Sequence, residues 1–233
     1  MMIENMLLKP VSVRSGELSE VSLRQRFSRP AYRMADVTYE VSEDAGLLHQ
    51  YALLCDSMFI AGQGTPVAAN NNVQGEIVVG RRNNHCVAGA QLTFREPGED
   101  KKLPMEREGC DISVLFPQLP LNSVRIVEVS GLSVLPDLHE QQVTREICRE
   151  LLQHAVAKKA GYMVALVSTP QARSLNQTAK EFGLEWDALV HMPLAETSVY
   201  EGARRVLCWL DMTPVYKKTT EKQPVAKNLV LFS

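Results

Sequence analysis

"RIVEVSGLSVLPDLHEQQVTREICRELLQHAVAKKAG" occupies residues 125–161 and changes its period in the middle. Before Pro136 the side chains alternate as in a strand. Ile126, Glu128, Ser130 and Leu132 share one face, and Val127, Val129 and Gly131 share the other. Beyond Gln142, the apolar residues Val143, Ile147, Leu151 and Ala155 recur every four positions, and Cys148 and Leu152 widen that stripe. Arg145, Glu146, Arg149 and Glu150 are turned away from it. "YMVALVST" (162–169) follows as a short continuous apolar run of the kind found in a strand covered on both faces. Strand, helix and strand in this order imply two parallel neighbours joined by a right-handed crossover.

Two features of the stretch raise chemical questions. Glu128 sits in the middle of a central strand. A buried carboxylate needs a partner, or it stays protonated, or it borders a cleft. It therefore reads either as a general base for an amine nucleophile or as an acid satisfied by a nearby Arg or backbone amide. Gly131 inside the strand suggests a bulge or a close backbone approach. The helix entry around residues 141–143 offers free amide groups and a positive dipole end, which suits a phosphate, with Thr144 and Arg145 in its first turn. Most crossovers carry such a helix start without binding anything.

Outward from this unit, "ADVTYEVSED" (35–44) alternates as a strand and runs into a helix cap at Ser42, Glu43 and Asp44. "AGLLHQYALLCDSMF" continues with Leu47, Tyr51, Leu54 and Met58 at helical spacing. Gly, Asn and Pro make residues 62–75 a long loop. Residues 76–94 read as a hairpin turning at 81–84, and residues 95–111 as a polar loop. "PQARSLNQTAKEFG" is a short helix closed by Gly183. "EWDALVHMP" and "RRVLCWLDM" supply the late strands. The order β-α-β-β-β-α-β-α-β-β predicts a mixed α/β sheet with helices on both faces. Residues 1–35 read as an N-terminal extension, 36–215 as the domain and 216–233 as a polar tail.

The composition excludes several classes. Lys and Arg number 25 against 27 Asp and Glu in 233 residues, so no basic field draws nucleic acid. Five scattered cysteines without a CxxC pair, and histidines equally dispersed, predict no metal site and a reducing, cytoplasmic setting. No run is long enough for a membrane span. The interrupted apolar start, "MMIENMLLKP", does not read as a signal peptide. Cys148 reads as a core residue, and Trp186 and Trp209 as packing residues.

The segment from about Val37 to Met192 resembles the GNAT superfamily of N-acyltransferases. The resemblance lies in "LSVLPDLHEQQVTREICRELLQHAVAKKAG", which matches the family's strand, pyrophosphate turn and helix. It implies a strongly bent central sheet and an acyl donor that is acyl-CoA or acyl carrier protein. Leu132 and Val134 would lend their backbone to the pantetheine arm. The stretch from His139 to Thr144 would stand for the phosphate loop, with Gln142 and Thr144 in place of small residues and Arg145 beyond them. "SLNQTAKEFGLEW" is similar to a second family helix, with Asn176 at its polar position and Ala179 where a Tyr often stands.

Within the superfamily, "YALLCDSMF" and "VEVSGLSV" look most like autoinducer (acyl-homoserine-lactone) synthases and N-acyl amino acid synthases. That likeness makes Glu128 the base, directly or through water, and Ser130 a polar wall of the acyl site. Cys55, Ala88, Gln91 and Gly131 stand where those synthases carry Arg or Gly residues. The implied function is N-acyl transfer from a thioester to a small amine or amino acid. A GNAT-fold binding module without turnover, or an autoinducer synthase with a remodelled site, is the alternative.

Overall fold

The computed structural model describes residues 36–60, 75–117, 119–135, 141–190 and 205–220. His139 and the start of the phosphate turn lie outside these residues. The elements are β1 (Thr38–Val41), α1 (Ala45–Ile60), β2 (Glu76–Arg82), β3 (His85–Arg95), α2 (Pro104–Arg107), α3 (Ile112–Leu115), β4 (Ile126–Val134), α4 (Gln141–Ala157), β5 (Tyr162–Val167), α5 (Thr169–Glu181), β6 (Trp186–Val190), β7 (Val206–Asp211) and α6 (Thr213–Thr220). Seven strands form one open sheet in the order β1-β2-β3-β4-β5-β7-β6. The β4–β5 pair is parallel, as a strand–helix–strand unit requires, and every other pair is antiparallel.

One face of the sheet is covered by α4 and α5. Val143, Ile147, Leu151, Leu152 and Ala155 of α4 pack with Val127, Val129, Met163 and Ala165 of the central strands. Burying such side chains supplies about 1.5–3 kcal/mol each, so this helical stripe fixes the crossover. Glu146 departs from the expectation that it faces outward. It is buried, accepts from the Tyr39 hydroxyl at 3.0 Å and from Gln142 Nε2 at 3.2 Å, and so ties α4 to β1.

The other face carries two separate apolar clusters. Leu47, Tyr51, Leu54, Cys55 and Met58 of α1 pack on Ile77, Val79 and Cys86. Asp44 caps that helix by accepting from the Leu47 amide at 2.7 Å. The second cluster joins Leu103, Met105, Cys110, Ile112 and Phe116 to Ile126, Val164 and Leu207. The sequence here reads as a polar loop. In the fold, residues 104–107 of that stretch form α2 and α3 follows just beyond it; Leu103, Met105, Cys110 and Ile112 are buried, whereas Val114 is 72% exposed. The spacing of the buried residues follows neither strand nor helix period, so no periodic signal reveals them. Glu106 closes the α2 turn, accepting from the Leu103 amide at 2.8 Å and pairing with Arg95 at 2.8 Å.

Strand β4 does not keep one alternation throughout. Gly131 has φ +59°, and the β3–β4 register shifts between Gly89 and Gln91. This is a bulge, and only Gly adopts that backbone cheaply. The extra residue inverts the side-chain phase, so Leu132 and Val134 join Val127 and Val129 against α4 and α5. The expected shared face of Leu132 with Ile126, Glu128 and Ser130 is corrected accordingly; Ser133 takes that place, its hydroxyl against Cys55 Sγ at 3.5 Å. At the C-terminal end, α6 runs across residue 215, where the sequence suggests a tail. Tyr216 packs on the core, and its hydroxyl donates to the Ala160 carbonyl at 3.0 Å.

Candidate functional site

Strands β4 and β5 pair only from Ile126–Tyr162 to Val129–Ala165. Both continue, β4 to Val134 and β5 to Val167, but as separate edges. The bulge begins two residues after the last pair. A parallel sheet that parts beside a bulge exposes backbone amides and carbonyls along both rims, and these need partners from elsewhere. Three side chains serve two of these carbonyls. The Tyr51 hydroxyl donates to the Gly131 carbonyl at 2.9 Å, joined by Cys55 Sγ at 3.5 Å. The carboxamide of Gln171 donates to the Leu132 carbonyl at 2.6 Å.

On the α1 side, a polar strip runs between the two apolar clusters. Thr93 stands opposite Glu128, Gln91 opposite Ser130 and Gly89 opposite Ser133. Facing residues of an antiparallel pair project to the same side of the sheet. Thr93 is 0% exposed, and its Oγ1 has no hydrogen-bond partner among the described residues. Gln91 and Ser130 are half-buried. The strip is therefore most open at its middle, Gln91–Ser130, and closes toward Thr93 and Glu128 on one side and Ser133 on the other.

Glu128 is 1% exposed. Both of its carboxyl oxygens accept from the Met105 amide, at 3.1 and 3.0 Å. Burial pushes its pKa from the ordinary 4.5 up to about 8. The Met105 amide opposes that rise, as does Arg107, whereas Glu106 and Glu108 add to it. Of the two readings of this acid, the structure supplies the backbone-amide partner. The native chain holds a proton between pH 4.5 and 8 that the unfolded chain has released. Folding stability from this group therefore falls as pH rises through that window, and the full cost of a buried charge is felt above pH 8. Glu128→Gln, which mimics the protonated acid, is expected to gain stability over the native chain from pH 5 to pH 9, by on the order of a few kcal/mol. Urea unfolding at several pH values checks this; a constant difference between the two proteins refutes it.

The other residues singled out in the sequence are dispersed. Leu132 and Val134 lie on β4 beyond the parting, with their side chains buried against α4 and α5. Gln142, Thr144 and Arg145 lie in the first turn of α4. The Gln142 carboxamide is directed to Glu146, and Arg145 pairs with Glu181 of α5 at 3.5 Å. Asn176 is turned to the far end of α5, accepting from the Trp186 amide at 3.2 Å. Cys55 is fully buried, and burial raises its thiol to about 11, so it stays neutral near pH 7. Cys148 and Trp186 are buried in the large cluster, and the Trp209 ring packs on Phe116. Thr93 and Gln171 escape the sequence reading, as do the bond of the Tyr51 hydroxyl to Gly131 and that of the Met105 amide to Glu128. Ser168 and Gln171 carry a capping-box signature, but nothing local reveals the second bond that Gln171 makes.

No family model and no curated protein matches the sequence. Solved structures do match the fold. The N-acyl amino acid synthase FeeM from uncultured soil microbes superposes with a TM-score of 0.58 at 8% identity, over 78% of this chain and 94% of that one. The AHL synthase LasI superposes with a TM-score of 0.52 at 13% identity, over 75% of this chain and 87% of that one. The chain has the GNAT fold. The open mixed sheet and its helices on both faces agree with it and with the mixed α/β architecture expected from the sequence. Among the described residues no group of His, Cys, Asp and Glu is arranged to hold a metal ion. No described helix is long and apolar enough to cross a membrane.

Proposed function

We propose that the chain is an N-acyltransferase that moves an acyl group from a CoA or acyl-carrier-protein thioester to a small amine or amino acid. One observation carries this reading: a GNAT-fold sheet parts at Val129–Ala165, immediately beyond a carboxyl group poised near neutral pH. The pantetheine arm lies along the β4 rim at Leu132 to Val134, and its thioester carbonyl comes to rest by the bulge. The amine enters along the polar strip at Gln91 and Ser130. Its nitrogen attacks the thioester carbon, and backbone amides near Leu132 hold the oxyanion. The C–S bond breaks, the N–C bond is kept, and the thiolate leaves.

Glu128 accepts the proton that the amine loses. Its closure from solvent favours transfer through one ordered water or the Ser130 hydroxyl over direct contact. Alternate residues on a strand face stand about 7 Å apart, which one bridging water spans. The proton then passes to the departing sulfur. The phosphate end of the donor is assigned to the α4 turn, from His139 through Gln142 and Thr144. Arg145 takes part only if it leaves Glu181, and Asn176 would act on the donor only from its place beside the Trp186 amide.

A thiol-release assay tests the proposal. Acetyl-CoA, a long-chain acyl-CoA and an acyl carrier protein thioester are each offered with a panel of amines and amino acids, with and without S-adenosylmethionine. Amine-dependent thiol release is expected. The rate should climb with pH and level off above about pH 8, where Glu128 is ionised. Donor binding without release in any combination favours the second reading, a binding module. The 1% exposure of Glu128 and the larger side chains of Gln142 and Thr144 speak for that alternative. Release only with S-adenosylmethionine points to a remodelled autoinducer synthase.

A further inference from the structure

Where β4 and β5 part, the gap is not empty. The register that pairs Val129 with Ala165 would, if continued, bring Leu132 opposite Ser168. The side chain of Gln171 reaches between them. Its Nε2 donates to the Leu132 carbonyl at 2.6 Å, and its Oε1 accepts from the Ser168 amide and hydroxyl, both at 3.0 Å. The carboxamide thus offers a donor to one rim and an acceptor to the other, as a peptide group of an inserted strand would. It is a primary amide in the place where an extended ligand carrying amides would satisfy the same groups.

We propose that Gln171 sets the affinity for the acyl donor by occupying this gap until an amide of the pantetheine arm displaces it. The inference rests on the acyl-donor reading above and deepens it. The donor must take over the Leu132 carbonyl, so its binding is weakened by the bond that Gln171 gives up. The gap then discriminates by chemistry. A thioester arm carrying amides replaces what it removes, whereas a purely aliphatic thioester leaves a buried carbonyl unpartnered. The substrate class is a pantetheine thioester, whether on CoA or on a carrier protein.

Calorimetric titration of the full chain with CoA, and separately with the adenosine bisphosphate half of CoA, which has no amide, tests this. Gln171→Ala empties the gap. It is expected to bind CoA about threefold to tenfold more tightly than the native chain, with affinity for the adenosine bisphosphate unchanged. Gln171→Glu keeps the acceptor for the Ser168 amide, and hence the α5 cap, but loses the donor to Leu132. It carries the test if the Ala variant does not fold. Its added negative charge repels both probes, so the ratio of the two affinities is the readout, and that ratio should rise by a similar factor. Weaker or unchanged CoA binding in both variants, relative to the adenosine bisphosphate, overturns the role of Gln171 and leaves the acyl-donor reading standing. Failure of the native chain and both variants to bind CoA overturns both.

Discussion

Glu128→Gln is expected to lower the rate of acyl transfer about 10²- to 10⁴-fold, the range for loss of a general base. The substitution keeps the shape of the side chain and an oxygen for the Met105 amide, which stands 3.0–3.1 Å from the present carboxyl. The fold should survive, because the neutral amide removes the cost of a buried charge at alkaline pH. Donor affinity should hardly move, since Glu128 is not on the rim of the gap. A fall in turnover without a fall in donor binding separates a proton-accepting role from a structural one. The pH profile sharpens the test. The native rate rises toward a plateau above about pH 8, and the variant's residual rate should be flat through the same range. A variant that keeps its rate, or a native profile with no inflection there, removes Glu128 from the chemistry.

The second large effect concerns the bulge. Gly89→Ala is expected to destabilise the chain by about 2–5 kcal/mol, from overpacking and a disturbed buried hydrogen bond. A Cβ at Gly89 would lie 2.5 Å from Tyr51 Cδ2, 2.8 Å from Cε2 and 3.2 Å from the Val78 carbonyl oxygen. The Tyr51 ring has no easy retreat, being 1% exposed among Leu47, Leu54 and Cys55. If it moves, its hydroxyl leaves the Gly131 carbonyl, and the bulge loses the bond that holds its geometry at 2.9 Å. In a chain of this size each kcal/mol lowers the melting temperature by about 2–4 °C. Thermal unfolding of Gly89→Ala, Tyr51→Leu and the double variant checks the cause. The double variant should be more stable than the sum of the single losses predicts, because removing the ring removes the clash. Strict additivity would show that Gly89 serves some other end.

Much of the fold was legible in the residues. The α4 stripe, the unbroken apolar run of β5 and the turn-bounded hairpin of β2 and β3 each carry a local signal, and each lies where that signal suggests. Gly131 was readable as a bulge because a strand interior rarely tolerates Gly without a backbone reason. The site was legible only in part. Glu128 stands out as an acid among Val and Ile, but its partner, the Met105 amide, comes from a segment whose composition resembles a solvated loop. Thr93 is one Thr among strand residues until the register sets it against Glu128. Asn176 matched a motif by type, yet the carboxamide that reaches the parted strands belongs to Gln171, more than one helical turn earlier.

The division follows from the range of the forces. Side-chain period, capping and turn chemistry act over a few neighbouring positions, so the linear order of residues is enough to establish a crossover unit, a mixed sheet and a carboxylate inside it. Strand register, the phase inversion at Gly131, the parting beyond Val129 and Ala165 and the sealing of Glu128 arise between segments distant in the chain. They are settled by which side chains fit together once the sheet has formed. Packing energy depends on that joint fit, which no single stretch encodes, and it is this fit that turns an unusual acid into a group with a pKa near 8 beside a gap held by Gln171.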